Sequence, residues 1–272
     1  MTNKGFWFSI FFSGTLVFGS SQVCAGPSLD SLVKAEHRSE RNIERNIWRH
    51  PVETLQFFGI RDDMTVLEVW PGSSGWYTEI LAPYLRDKGL LVAANYSAQS
   101  DSEYRRRGVD AFGKKMRSRP AIYDRVIVTT LAPPEEMPEV ALGSVDLIIS
   151  ARNLHNWVRA ETAESMFNAM FELLKPGGRL GLVAHRGTQD MVGVEAAKSG
   201  YLAQNEAFRL ASSAGFLLEA ESEINANPKD IKNYDAGVWT LPPVLRLGQK
   251  DRDKYLEIGE SDRMTLLFRK PK

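Results

Sequence analysis

An acid followed by two nearby glycines gives this chain its clearest place to hold a ligand. Glu68, Gly72 and Gly75 lie in the string TVLEVWPGSSGWYTEILA, residues 65–82. Val66, Leu67 and Val69 form an apolar, β-rich run of the kind buried on both faces of a parallel sheet, and Glu68 stands at its carboxyl end. Glycines lack the side chains that keep backbone away from a ligand. Residues 76–84 then read as the first turns of a helix. Ligands of open parallel sheets bind at strand carboxyl ends, beside such turns. A second polar group follows the apolar run DLIIS, where ARNLHNW supplies Arg152, Asn153, His155 and Asn156. A third, His185 with Arg186, follows LGLVA. If these strands are neighbours, two imidazoles face one pocket, and a histidine titrates near neutral pH as a general base should. The plainer alternative, core or surface histidines, stays open. His37 and His50 read as surface residues. No third ligand stands at zinc spacing, so no metal is expected.

Several chemistries are excluded by pattern. W-P-G-S-S-G is not the G-x-G-x-x-G of dinucleotide folds, and the next strand, residues 90–94, is followed by Asn95 rather than a ribose-binding acid. Trp76 stands where a phosphate-binding loop needs lysine. No G-x-S-x-G elbow occurs, so an α/β-hydrolase lacks its nucleophile. No basic stripe with interleaved aromatics argues for nucleic acid. The 272 residues carry 34 basic and 34 acidic side chains, so no polyanionic partner is implied.

The elements that position these groups alternate in type. Strands are expected at 66–69, 90–94, 125–129, 145–150 and 179–184, with helices near 76–86, 101–113, 133–139 and 160–174. This repetition predicts a parallel sheet covered by helices on both faces. A helix over 201–214 and two last strands, 216–223 and 264–270, complete it. Residues 29–49 read as one charged helix on which Arg38, Arg41, Arg45 and Arg49 share a face. That face is either solvated or an anion clamp over the site. Pro51 starts a second short helix. The long connection 224–263, which holds Asn225, Trp239, Pro242, Pro243, Glu260 and Asp262, either caps the sheet or folds over the cleft as a lid. Trp70, Trp76, Tyr77, Trp157 and Trp239 either line an apolar pocket or belong to the core.

The first 25 residues differ from the rest. Lys4 precedes an apolar stretch, residues 5–19, and then SSQVCA. Positive, apolar and small-residue zones in this order predict a secretory signal peptide cut after Ala25, with a periplasmic product and no membrane span after cleavage. The single cysteine, Cys24, would leave with it, and so would Lys4, giving a formal charge of −1.

VLEVWPG with Gly75 resembles motif I of the class I S-adenosylmethionine-dependent methyltransferases. SVDLIISARN resembles their motif IV, and LLKPGGRLGLV is similar to their fifth strand and the turn before it. WPG with GWYTEILAPYL, RNLHNW, SEINANP, GVWTLPP and GESDRMTL are similar to an uncharacterised group of exported bacterial methyltransferases. The resemblance implies an α/β fold: a doubly wound, mostly parallel seven-stranded Rossmann-like sheet over 60–272, with an N-terminal helical extension at 26–59. It implies S-adenosylmethionine as cofactor, at Glu68, Trp70, Gly72, Gly75, Asn95 and Asn153. Glu68 would orient the loop and the methionine amino group. His155 is the candidate base, and Asn153 and Arg152 would position a small-molecule acceptor. Trp70 replaces the first motif glycine, the turn is one residue longer, and Asn95 can make only neutral hydrogen bonds to a ribose. These departures motivate the alternative of a non-catalytic small-molecule-binding protein on the same scaffold.

Overall fold

The seven apolar runs all become strands of one sheet. The computed structural model describes residues 1–2 and 26–272; the apolar stretch of the expected leader lies outside the described residues. The strands are β1 (Thr65–Val69), β2 (Leu90–Asn95), β3 (Ile127–Thr130), β4 (Val145–Ala151), β5 (Leu174–His185), β6 (Leu217–Ser222) and β7 (Arg263–Arg269). Their order is β3-β2-β1-β4-β5-β7-β6. The first five pair in parallel, and β7 runs antiparallel to both β5 and β6. The order reverses beside β1, where a crevice opens at the carboxyl ends of β1 and β4.

Helices fill the connections. Before β1 come α1 (Leu29–Leu32), α2 (Glu40–Ile43), α3 (Asn46–Arg49) and α4 (Pro51–Phe57). After β1 comes α5 (Thr78–Leu85); after β2 come α6 (Glu103–Ser118), begun by a Ser102 cap, and α7 (Pro120–Tyr123). After β4 come α8 (Leu154–Arg159) and α9 (Ala163–Leu173); after β5, α10 (Gly193–Ala197) and α11 (Gln204–Ser213); and α12 (Arg252–Ile258) lies in the long connection. The period-two alternation of strands divides the core. Leu67 and Val69 pack with Trp157, Phe167 and Phe268 on one face, and Val66 with Leu55, Phe58, Ile80 and Leu81 on the other. Leu29, Leu32 and Val33 join this second cluster. Glu68 points to the same face as Val66, towards α5.

Three expectations fail locally. Residues 29–49 form three short helices rather than one, and Ile47 of the expected apolar stripe is 69% exposed. No helix forms at 133–139. Pro133 and Pro134 open a turn there, closed by an Ala132–Glu136 bridge. β5 starts at Leu174, before Pro176, with a shifted register against Val145.

Candidate functional site

A cavity of about 630 Å³ opens at the carboxyl ends of β1, β4 and β5. Most of the expected residues meet there. Glu68, Trp70 and Gly72 come from β1 and the turn after it; Arg152, Asn153 and His155 from the end of β4; His185 from β5; Trp239 and Glu260 from the long connection.

The turn after β1 is built by positive backbone angles. Gly72 has φ +71°, and a Cβ there would meet nothing within 4 Å, so its backbone lies open to the cavity. Gly75 has φ +55°, and a Cβ would press on Phe112 and Thr78 at 3.0 Å. Gly75 therefore shapes the turn by close packing and is not on the cavity wall. Trp70 has φ +50°. The backbone bends as a motif glycine would allow, but it carries an indole. Trp70 Nε1 donates to the Leu131 carbonyl at 2.9 Å, and the ring lies 4.5 Å from Tyr96, with the Arg105 guanidinium 5.2 Å above it. This aromatic corner closes the β2 side of the cavity. Asn95 does not reach it. Its side chain is buried, Oδ1 accepts from the Tyr96 N–H at 2.9 Å, and Nδ2 has no protein partner. Tyr96, the next residue, lines the cavity instead.

Glu68 accepts a 2.6 Å hydrogen bond from the Thr78 hydroxyl. Burial pushes its carboxyl up to about 7, against the pull of Thr78 and Lys115. Asn153 donates to the Val69 carbonyl at 2.9 Å, which ties the end of β4 to the end of β1.

His155 and His185 do share the cavity, with ring centroids 5.5 Å apart. Trp239 packs edge-on against His155 at 5.8 Å, and Ser261 Oγ is 2.6 Å from His185 Nδ1. Their chemistry differs from the sequence reading. Burial, then Arg159 and Arg152, push His155 down to about 3, and burial pushes His185 well below its ordinary value. Burial thus favours the neutral form of both rings. His37 is half-buried, with its Nε2 2.6 Å from the Glu79 carbonyl oxygen.

The arginines of the N-terminal helices also depart from expectation. Arg41 alone is exposed. Arg38 turns inward to Glu79. Arg45 and Arg49 converge with Arg263 on the single carboxylate of Glu260, at 2.7, 3.0 and 3.0 Å. Arg152, in left-handed backbone at φ +64°, pairs with no carboxylate among the described residues. Burial, with Arg45, pushes its guanidinium down to about 10, while Glu260 opposes. Sequence reasoning missed Tyr96, Arg105, Arg159 and Arg246 on the wall. Only the position of Tyr96 at the end of β2 offered a signal.

The long connection supplies Trp239, Pro242, Pro243, Glu260 and Ser261 to the cavity wall. Asn225, Asn227 and Asp262 stand behind and brace it: Asn225 bonds Thr54 and Thr265, and Asp262 pairs with Arg186 and Lys232. Arg186 thus serves this brace and stays off the cavity wall. Among the described residues no helix is long and apolar enough to cross a membrane, and no cluster of metal-ligating side chains occurs.

Comparison with known proteins gives its answer at the level of shape. No family model matches the chain, and no curated protein matches it in sequence. Solved structures do. A SAM-dependent methyltransferase from Aquifex aeolicus superposes with a TM-score of 0.54 at 16% identity, over 83% of this chain and 92% of that one. The fold is that of the class I S-adenosylmethionine-dependent methyltransferases. A phosphoethanolamine N-methyltransferase 2 from Haemonchus contortus, solved with S-adenosyl-L-methionine, gives 0.54 at 15% identity, over 83% of this chain and 53% of that one. The cyclase SpnF gives 0.58 at 14% identity, over 88% and 86%. A cyclase and methyltransferases on one methyltransferase fold leave the reaction to be argued from the site.

Proposed function

We propose that the protein is an S-adenosylmethionine-dependent methyltransferase acting on a small molecule bound beside Arg152 and His155. The observation that carries this reading is the turn after β1. On a class I fold, the open backbone of Gly72 and the buried acid Glu68 lie together on the wall of a cavity of about 630 Å³. Glu68, Gly72 and Asn153 would hold the methyl donor. The donor set fits at this turn. At β2 the ribose acid is absent, and the Trp70 and Tyr96 rings offer a stacking surface in its place. S-adenosylmethionine, when bound, supplies an electrophilic methyl group on a sulfonium.

The chain's own contribution is placement. Asn153 fixes the β1 and β4 ends against each other, so the two polar groups of the site keep one geometry. Trp239 covers His155 and excludes water. His155, neutral at working pH, hydrogen-bonds and orients the acceptor rather than removing a strongly held proton. The acceptor therefore reacts through a lone pair already free at that pH. Calorimetric titration with S-adenosylmethionine and S-adenosylhomocysteine tests the reading, and binding of both is expected. If neither binds at millimolar concentration, the methyltransferase reading fails.

We also infer that the protein is exported. The order of charged, apolar and small residues over 1–25 supports this. N-terminal sequencing of the protein from fractionated cells should give Gly26; intact protein starting at Met1 or Thr2 in the cytosol would count against it.

A further inference from the structure

The cavity carries more positive charge than the protein neutralises. Five arginines, Arg45, Arg105, Arg152, Arg159 and Arg246, and two glutamates, Glu68 and Glu260, line it, a formal excess of three. A second imbalance, partly off the cavity wall, surrounds Glu260. Glu260 is shared by Arg45, Arg49 and Arg263, all largely buried, and Arg152 approaches the same cluster without a carboxylate of its own. Arg45, which lines the cavity, has a buried Nη2 with no protein partner, and so, off the cavity wall, have Arg49 at Nη2 and Arg263 at Nε. Buried charge without a counter-charge and hydrogen-bonding groups without partners are both costly, and proteins keep them where a ligand completes the set. Arg152 adds a third mark. It holds a left-handed backbone angle at the end of β4, directly before Asn153. Strain of this kind persists where the surroundings demand a particular placement. A guanidinium presents a planar fork that matches carboxylate and phosphate oxygens.

The methyl donor does not balance this charge. Its ammonium and sulfonium outnumber its carboxylate, so it adds a positive charge when it binds. A second, anionic molecule is needed.

We propose that the methyl acceptor is a small molecule carrying a carboxylate or phosphate group, bound through that oxyanion by Arg152 with Arg45. This deepens the methyltransferase reading and rests on it for the word acceptor. The oxyanion site itself stands on the arginine cluster. It also gives the neutral histidines a task. His155 and His185 lie beside the cluster without adding charge to it, and so can meet the uncharged part of the acceptor.

The test is calorimetry on the purified protein in a buffer free of phosphate and carboxylates. Orthophosphate, succinate and the uncharged succinamide are titrated with and without saturating S-adenosylhomocysteine. Orthophosphate or succinate should bind, succinamide should not, and S-adenosylhomocysteine should leave the anion bound. Arg152→Gln should weaken the anion by about tenfold or more, the scale of a lost charge-assisted hydrogen bond, and Arg152→Lys by less. Phosphate alone points to phosphorylated acceptors, and succinate alone to carboxylic acids. The proposal is overturned if neither anion binds, if succinamide binds as well as succinate, or if Arg152→Gln binds anions as the natural protein does. It is also overturned if S-adenosylhomocysteine displaces the anion, since the cluster would then hold the cofactor's own carboxylate. Binding of S-adenosylhomocysteine without any anion sinks the acceptor and leaves methyl transfer standing. Anion binding without either form of the cofactor sinks methyl transfer and supports the oxyanion site. The contrast between succinate and succinamide needs no variant, so a misfolded Arg152→Gln protein does not shield the idea.

Discussion

Glu79 and Glu260 are both buried carboxylates that gather arginines from the same N-terminal helices, yet they serve different ends. Glu79 sits on α5, away from the cavity wall, and its partners match it closely. Arg38 bonds one oxygen at 3.3 Å, and the Ser39 N–H and Lys115 bond the other. Burial pushes the Glu79 carboxyl up, but Lys115, Asn42 and the Ser39 N–H more than offset this and hold it below its ordinary value. Lys115 reaches solvent, so the set carries no trapped excess of charge. It pins the N-terminal helices to α5. Glu260 stands on the cavity and holds three guanidiniums, with a fourth nearby. The first cluster also leaves Arg38 Nη2 without a partner, but its second cation, Lys115, reaches solvent and none of its groups lines the cavity. The other is completed only by something that enters the cavity.

Replacing the two acids separates these roles. Glu260→Gln should have the largest effect, a loss of about 4 kcal/mol or more by urea denaturation, because it strands three buried guanidiniums. Glu79→Gln should cost less, about 3 kcal/mol, since it strands only Arg38. Added phosphate should restore part of the loss in Glu260→Gln and none in Glu79→Gln. Arg41→Ala, the exposed neighbour in the same helices, should stay within about 0.5 kcal/mol. Equal losses with no phosphate effect in either glutamate variant would erase the distinction.

Glu68 sharpens the comparison as a buried carboxylate with no guanidinium partner. Its folded value is raised to about 7, above that of the unfolded chain. The folded state therefore holds this proton more tightly, so the group's favourable contribution is full below about pH 4.5 and is lost as pH rises towards 7. The expected change is about 3 kcal/mol. Glu68→Gln should lack this component, so the stability difference between variant and natural protein should shift in the variant's favour between pH 5 and pH 8. A difference that stays constant over this window would show that Glu68 is charged throughout.

What was legible in the sequence follows from range. The central strands announced themselves through their own runs of apolar residues, as VLEV and DLIIS did, because a strand buried on both faces needs nothing but such a run. The turn after β1 was legible from Gly72 for the same local reason. The break of residues 29–49 into three helices was not, because Arg38, Arg45 and Arg49 leave their common face to reach Glu79 and Glu260, partners 41, 215 and 211 residues away. No window on the sequence contains such a pairing. The histidines were legible by position and not by titration. His155 was placed correctly at the end of β4, but its titration depends on how thoroughly Trp239 and its other neighbours exclude water, which spacing does not encode. Asn95 stands where a ribose-binding residue should, but its amide oxygen accepts from the Tyr96 N–H, an orientation that residue type does not encode.

The position of β7 has a consequence for how the molecule is made. β5 and β6 do not pair with each other; β7 lies between them and pairs with both. A chain emerging from its N-terminus must therefore keep the edge of β5 unpaired, and β6 detached, until residues 263–269 arrive. Those same residues begin with Arg263, which grips Glu260 and the Trp48 carbonyl. One late segment thus closes the sheet and, through Arg263, fastens α3 to it in a single act.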